Sequence, residues 1–172
     1  MLFTLLAVSF YVSAASAQKA SDAAPTSIEW TVQIDPLTTA LGIAHVLFEK
    51  RLTSRFAAYV GPSLRLYDSL LTNDDEEGYR AYGIEYGIRY FLQSTAPFGL
   101  WAGLRFVNAR LSFENENRLG GYVSGLFGYA WHFSKFWLIS GALGISYFDY
   151  SVGGVGVSGV LPAAHTGIGV VF

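Results

Sequence analysis

Residues 78–93 read GYRAYGIEYGIRYFLQ, and the alternation within this stretch decides the fold class. From Tyr82 to Leu92 every second residue is apolar or aromatic, whereas the residues between them include Gly83, Glu85 and Arg89. A period of two is typical of a β-strand whose two faces meet different environments. The stretch is also longer than the average strand of a soluble protein, which has about 5–6 residues. It therefore predicts a long strand with one apolar and one polar face.

The same alternation recurs through the rest of the chain. It is present in residues 28–34, 55–68, 97–113, 118–133, 136–150 and 158–172. In residues 97–113 the apolar set changes phase after Phe106 and continues with Val107, so we predict a β-bulge at these two residues. Residues 38–50 supply one more strand, for which the pattern leaves the facing open.

Composition favours a membrane barrel over a soluble fold. The chain is 52% hydrophobic and only 14% charged. After residue 17 no apolar run reaches the roughly 18–20 residues that a membrane helix needs. Because backbone polar groups in lipid must be paired within the protein, only helices and closed barrels span a bilayer. A net charge of −2 offers no basic surface for nucleic acid, and the absence of cysteine excludes disulfides and thiolate metal sites.

The connections between the predicted strands indicate the topology. Short turns at residues 52–54, 93–97 and 133–135 alternate with longer or more polar connections at residues 69–77, 114–117 and 151–157. In outer-membrane barrels short turns lie in the periplasm and long loops outside. The prediction is an all-β, eight-stranded, antiparallel up-and-down transmembrane β-barrel with both termini in the periplasm.

The N-terminus is predicted to be a targeting segment. Residues 2–12 form an apolar core too short to span a membrane, and Ala15-Ser16-Ala17 is a small-residue cleavage site. We therefore expect a signal peptide over 1–17, a disordered lead-in over 18–27 and the barrel over 28–172.

The polar faces predict a network of charges inside the barrel. The predicted lumen residues are Glu29, Arg65, Glu85, Arg89 and Arg105, with Glu49, His132 and His165 as further candidates. Eight strands enclose a space that side chains just fill, and buried charges are stable only in pairs. A packed network is therefore favoured, and a narrow conduit for ions or small solutes is the alternative.

Two further surface features are predicted. Aromatic residues gather at both ends of the strands, as in the interfacial girdles of membrane barrels. The periplasmic set is Phe48, Phe56, Phe98, Trp131, Phe133, Phe136, Trp137 and Phe172, and the outer set is Tyr67, Tyr79, Tyr82, Phe113, Tyr147 and Tyr150. Residues 74–77 form an acidic run that we assign to a solvated outer loop.

Several short motifs resemble a known family. The Asp35-Pro36-Leu37 turn, Gly42, residues 48–52 and residues 54–56 resemble the opening of small bacterial outer-membrane barrels. These are the OmpX/OmpW/opacity-like barrels, including a sub-family of unknown function with an Asn-Pro-Leu opening, in which Asp35 of this chain replaces Asn. The resemblance implies the outer membrane of a Gram-negative-type bacterium, with its lipids and lipopolysaccharide as partners. It implies no activity.

The C-terminal strand carries a second resemblance. Phe172 is the last residue, and Ile168 and Val170 share its face. This pattern resembles the terminal-strand signal that the barrel-assembly machinery reads.

An enzymatic function is not favoured by the sequence. His132-x-Ser134 is similar to the His-x-Ser pair of an eight-stranded lipid A deacylase, but it falls at a predicted periplasmic turn. The next carboxylate, Asp149, is predicted at the far end of the following strand, whereas a triad needs its third group within contact. We therefore predict a non-enzymatic, monomeric barrel without cofactor or metal. The alternatives are the conduit, a lipid A-modifying acyl hydrolase, and a soluble lipocalin-like barrel with the faces inverted.

Overall fold

The computed structural model describes residues 28–65, 79–93 and 95–172. The predicted signal peptide, the lead-in, Tyr67 and the acidic run at 74–77 lie outside the described residues. Within them, every strand pairs antiparallel with its neighbours in sequence, and β1 also pairs with β8, so the sheet closes. The elements are β1 (Trp30–Ile34), α1 (Pro36–Ala40), β2 (Ile43–Arg51), β3 (Phe56–Arg65), β4 (Arg80–Phe91), β5 (Gly99–Phe113), β6 (Glu116–His132), β7 (Trp137–Val152) and β8 (Val155–Val171). The prediction of an all-β, eight-stranded, up-and-down barrel is confirmed.

The alternating residues of β4 face the sides that the sequence predicts. Ile84, Tyr86 and Ile88 are 45%, 41% and 39% exposed on the outer wall, whereas Glu85 and Arg89 are each 1% exposed inside. Because the side-chain period of a strand is two, one face is buried along its whole length and the other is open. The barrel therefore has an apolar outer wall around a partly polar interior.

The strands are longer than the sequence pattern indicates at one end of the barrel. We call the end that carries residues 28 and 172 the terminal end, and the opposite end the distal end. At the distal end β5 and β6 pair as far as Phe113 and Glu116, and β7 and β8 pair as far as Val152 and Val155. Two of the three predicted loops are therefore two-residue turns. Gly153 and Gly154 have φ of 60° and 80°, as a tight hairpin of this kind requires.

The predicted bulge in β5 is wrong. The register with β4 runs without interruption through Tyr86–Phe106 and Glu85–Val107. Val107 and Leu111 are 2% and 0% exposed inside the barrel. The apparent change of phase arises because the interior near the distal end is itself apolar. There the inward residues pack in one cluster, made of Tyr79, Ala81, Val107, Ala109, Leu111, Tyr122, Tyr150 and Val152.

A second apolar cluster fills the interior near the terminal end. Phe91, Phe98, Trp101 and Leu138 are its largest buried side chains, each at most 2% exposed. The assignment of Phe98 to the periplasmic girdle is therefore wrong. The assignment of Tyr79 and Tyr150 to the outer girdle is also wrong, because both pack in the distal cluster. These rings face inward because the space inside the barrel needs large side chains to fill it.

The barrel wall is irregular where β1 ends. The predicted strand over 38–50 is wrong at its start, since α1 occupies residues 36–40 and β2 begins at Ile43. Asp35 caps α1 by accepting hydrogen bonds from the backbone N–H groups of Leu37 and Thr38, and Pro36 is the first helical residue. As a result β1 pairs with only residues 168–171 of β8, and α1 continues the wall beside the next part of that strand.

Candidate functional site

A layer of polar side chains crosses the barrel interior between the two apolar clusters. Along β4 the inward residues pass from Ala81 in the distal cluster, through Glu85 and Arg89, to Phe91 in the terminal cluster. The buried polar and charged residues of this polar layer are Thr31, Gln33, Asp35, His45, Glu49, Ser63, Glu85, Arg89, Arg105, Ser124, Ser140, Ser146 and His165. Each is at most 3% exposed, so their charges interact with little screening by water.

Arg89 is the centre of the polar layer. Its Nη1 lies 2.8 Å from Oε2 of Glu49, and its Nη2 lies 3.0 Å from Nε2 of His165. Its guanidinium plane also lies between two aromatic rings, 4.9 Å from the centroid of Tyr59 and 4.6 Å from that of Trp101. Such contacts restrict the orientation of the guanidinium, because an ion pair and a hydrogen bond fix its two terminal nitrogens and two rings contact it.

The contact with Arg89 sets the tautomer of His165. A guanidinium group only donates hydrogen bonds, so Nε2 of His165 accepts one from Arg89. Nδ1 of the neutral ring then carries the proton and faces Oδ2 of Asp35 at 3.1 Å. One continuous polar chain therefore crosses the barrel from Asp35, through His165 and Arg89, to Glu49. In this order the residues belong to the end of β1, to β8, to β4 and to β2.

A second set of contacts completes the polar layer. Nδ1 of His45 lies 2.6 Å from Oε2 of Glu85. Nε of Arg105 donates to the hydroxyl of Ser124 at 3.3 Å, and that hydroxyl contacts the hydroxyl of Ser146. The carboxylates are thus each placed beside a basic group, which is the arrangement that makes buried charge tolerable.

The structure brings together three of the five predicted lumen residues. Glu85, Arg89 and Arg105 lie in the polar layer. Glu29 is exposed just before β1 at the terminal end. Arg65 is partly buried at the distal end of β3, where its guanidinium lies 4.5 Å from a tyrosine ring centroid.

Two ionisable members of the polar layer, Asp35 and His45, are not among the site residues that the sequence predicts. Asp35 was assigned to a turn, although its carboxylate also accepts a 2.6 Å hydrogen bond from the hydroxyl of Thr166. For His45 the sequence pattern leaves the facing open. In the structure Leu47 and Glu49 face inward and Phe48 and Lys50 face outward. His45 shares the inward face because it lies two residues before Leu47.

The predicted assembly signal lies on the outer wall at the terminal end. Ile168, Val170 and Phe172 are 40%, 36% and 63% exposed. The carbonyl of Phe172 accepts hydrogen bonds from the backbone N–H groups of Glu29 and Trp30, so the end of β8 is fixed against the start of the chain's first strand.

The His132-x-Ser134 pair does not form a catalytic arrangement among the described residues. The ring of His132 stacks on Phe98 with centroids 4.7 Å apart, and the hydroxyl of Ser134 accepts a 3.4 Å hydrogen bond from the N–H of Phe136. No carboxylate in the described part of the chain contacts His132. A serine hydrolase needs both a base on the hydroxyl and a group that orients the base.

Comparison with known proteins adds no relative. No protein-family model, curated protein or solved structure matches this chain. Across residues 28–65, 79–93 and 95–172, no helix is long and apolar enough to cross a membrane. The same residues contain no group of three or more side chains placed to hold a metal ion. The family resemblance therefore rests on the sequence motifs alone.

Proposed function

We propose that this chain is a non-enzymatic outer-membrane barrel with a structural or surface-interaction role. In this proposal it spans the outer membrane of a Gram-negative-type bacterium as a monomer, with both termini in the periplasm. Its partners are the lipids and lipopolysaccharide of that membrane, and the barrel-assembly machinery that binds its terminal strand. The observation that carries the proposal is a closed barrel with an apolar outer wall around buried charges.

The distribution of apolar surface supports lipid as the outer environment. Leu143, Ile145 and Phe127 are 72%, 64% and 53% exposed on adjacent strands. A contiguous apolar surface of this kind is unfavourable in water and marks contact with a membrane or a partner. A soluble lipocalin-like barrel requires the reverse arrangement, with polar groups on the outer wall.

A ring of exposed aromatic side chains at the terminal end supports the same conclusion. These residues are 40–63% exposed and include most of the predicted periplasmic girdle: Trp30, Phe48, Phe56, Trp131, Phe133, Phe136, Trp137 and Phe172. Tyrosine, tryptophan and phenylalanine are enriched where the hydrocarbon meets the headgroups. At the distal end, of the members of the predicted outer set that the structure describes, only Tyr82 and Tyr147 are strongly exposed.

The packed interior favours a structural barrel over a conduit. Trp101, Arg89 and Glu49 are each at most 1% exposed, and Arg89 contacts the other two inside the barrel. Salt bridges and ring contacts hold Arg89 in place, so an ion path along the axis requires these contacts to break. The filled interior agrees with the size expected of eight strands.

A pair of matched arginine substitutions tests the membrane placement. Leu143→Arg puts a charge at the centre of the outer wall, and Val157→Arg puts the same charge at the exposed distal hairpin, where Val157 is 40% exposed. In phosphatidylcholine vesicles we expect Leu143→Arg to lower the free energy of unfolding by about 2–4 kcal/mol and Val157→Arg by about 0–1 kcal/mol. Urea unfolding followed by tryptophan fluorescence measures both.

The outcome separates the two classes of barrel. Both positions are exposed, so equal and small effects are expected of a soluble barrel and contradict the proposal. Fractionation supplies an independent check: we expect the protein in the detergent-extracted outer membrane, with heat-modifiable migration on a gel. Recovery in the aqueous fraction without detergent contradicts the proposal as well.

A further inference from the structure

A furrow runs down the outer wall of the barrel along β6. Its floor consists of Gly121, Val123 and Gly125, and the side chains of β5 and β7 form its two sides. It has a distal part of about 540 Å³ and a terminal part of about 690 Å³. The two parts lie end to end, because their nearest lining residues stand on successive outward-facing rows of the sheet. These rows are Phe106–Val123–Tyr147 and Leu104–Gly125–Ile145.

The furrow exists because glycine interrupts an otherwise bulky outer wall. A Cβ atom added at Gly125 meets no other atom within 4 Å, so the space above it is open. Phe127, Leu143 and Ile145 stand around it and are more than half exposed. The result is a narrow apolar channel on the surface that lies open along its length.

A pair of unneutralised arginines stands at the distal end of the furrow. Arg110 of β5 lines the furrow and lies opposite Tyr82 of β4. Arg80 is on the same outer face two residues before Tyr82, so it is the diagonal neighbour of Arg110 across the two strands. Both arginines are exposed, and neither has an ion-pair partner among the described residues.

Among the described lining residues there is one carboxylate, and it does not oppose an anion in the furrow. Asp149 forms a bidentate pair with Arg118, whose Nη2 lies 2.7 and 2.8 Å from its two carboxylate oxygens. Its negative charge is therefore balanced locally, and within the part of the chain that the structure describes no carboxylate pairs with Arg80 or Arg110 at the distal end of the furrow. Guanidinium groups bind phosphate oxygens with good geometry.

We propose that the furrow binds one membrane lipid, with an anionic phosphate headgroup on Arg80 and Arg110 and an acyl chain along Val123 and Gly125. This inference rests on the proposed membrane placement. The length of the furrow agrees with the thickness of one lipid leaflet. Arg110 and Leu104 are six residues apart, which is about 20 Å along the strand. At the usual strand tilt of about 40° this is about 15 Å of depth, which is the hydrocarbon thickness of one leaflet.

The occupant is a lipid and not a soluble phosphate compound, because the binding surface has two parts of different chemistry. Two exposed arginines alone attract any anion. The apolar channel that begins beside Arg110 offers nothing to a soluble anion, whereas it removes an acyl chain from contact with other lipids and lets it pack against Phe106 and Tyr147. The surface thus selects a molecule that joins both parts.

Photo-crosslinking tests this inference on the folded, full chain. The protein is reconstituted in phosphatidylcholine vesicles that contain a small fraction of phosphatidylglycerol with a diazirine in its acyl chain. After illumination, labelled residues are mapped by mass spectrometry. We expect labels to concentrate on Leu119, Val123 and Tyr147, and a phosphatidylcholine probe with the same diazirine chain to label these residues less.

Two matched pairs of variants separate the parts of the site. Arg80→Gln with Arg110→Gln should lower furrow labelling by phosphatidylglycerol roughly 25-fold, since each of the two basic residues near anionic lipid contributes about a factor of five. Replacing Arg55 and Lys135, which are exposed at the terminal end, by glutamine should leave it unchanged.

Gly125→Leu fills the furrow and should abolish labelling at Val123. Gly141→Leu is its control, because a Cβ atom at Gly141 also meets nothing within 4 Å and Gly141 lies outside the furrow. Heat-modifiable migration verifies that each variant is folded.

The possible results distinguish this inference from the proposed function. The lipid site is overturned if labelling is spread evenly over the outer wall. It is also overturned if the double variant Arg80→Gln, Arg110→Gln labels in the furrow as strongly as the unchanged protein. Both results leave the membrane placement of the barrel intact. Equal labelling by the phosphatidylcholine probe, whose headgroup has no net charge, overturns the assignment of an anionic headgroup. If no residue of the outer wall is labelled, the proposed membrane placement itself is wrong, and the lipid site with it.

Discussion

Arg89→Met is the substitution that tests the polar layer most directly. It removes the guanidinium that contacts Glu49 and His165 and that lies between two aromatic rings, while it keeps a long side chain of similar shape. The matched control is Arg118→Met, because Arg118 also pairs with a carboxylate, Asp149, at 2.7 Å. The two ion pairs have almost the same length and differ in their environment.

The expected magnitudes follow from burial. The side chains of the Arg89–Glu49 pair are 2% and 1% exposed, whereas those of the Arg118–Asp149 pair are 47% and 48% exposed. At 2.8 Å and an effective dielectric constant of about 20, the Coulomb attraction of the buried pair is about 6 kcal/mol before the cost of desolvation. Removing one member of a buried pair destabilises a protein by about 3–5 kcal/mol, and removing one member of an exposed pair by about 0–1 kcal/mol.

Unfolding in urea, measured in lipid vesicles, gives both free energies. Trp101 contacts Arg89, so its fluorescence reports on the polar layer itself. Adding Glu49→Leu to Arg89→Met removes the unpaired carboxylate and should restore at least about 2 kcal/mol. If Arg89→Met costs no more than Arg118→Met, or if Glu49→Leu makes the double variant less stable, the account of a charge-balanced interior is wrong.

Three further predictions follow from the same geometry. Gly144→Ala places a Cβ atom against the backbone oxygen of Gly125 and should lower the yield of heat-modifiable barrel severely, whereas Gly141→Ala, with open space around it, should fold normally. Asp35→Ala removes the cap of α1 and an acceptor of the polar layer, so chemical unfolding should show a loss of about 2–3 kcal/mol. In planar bilayers the folded protein should show no stepwise conductance, because Arg89 and its neighbours fill the interior, and regular channel steps would refute this.

Local alternation predicted most of the architecture. The facing of Ile84, Glu85 and Arg89 in β4 is as the sequence indicates, because the pleat sends successive side chains to opposite faces whatever the strand's neighbours are. The same rule is misleading in β5, where it predicts a bulge with Val107 and Leu111 outside, whereas both face the interior in a regular register. Apolar residues suit either lipid or a packed interior, so hydrophobicity alone does not distinguish the two faces.

Which side chains contact each other inside the barrel depends on the pairing of the first strand with the last. Asp35 and His165 are 130 residues apart in sequence, and they meet only because β1 pairs with β8. Nothing in the local pattern around Asp35 indicates a buried carboxylate, since Asp-Pro is equally suited to an exposed turn or to a helix cap.

The sequence by itself determined that this chain forms a barrel of long antiparallel strands, with an apolar face and a face that carries charges. That information is local, because each strand encodes its own period of two. Only the tertiary structure decided which charges meet, where the interior becomes apolar and where Gly125 opens a furrow on the outer wall. These features arise from the register between strands, and the register is set by the closure of the whole sheet.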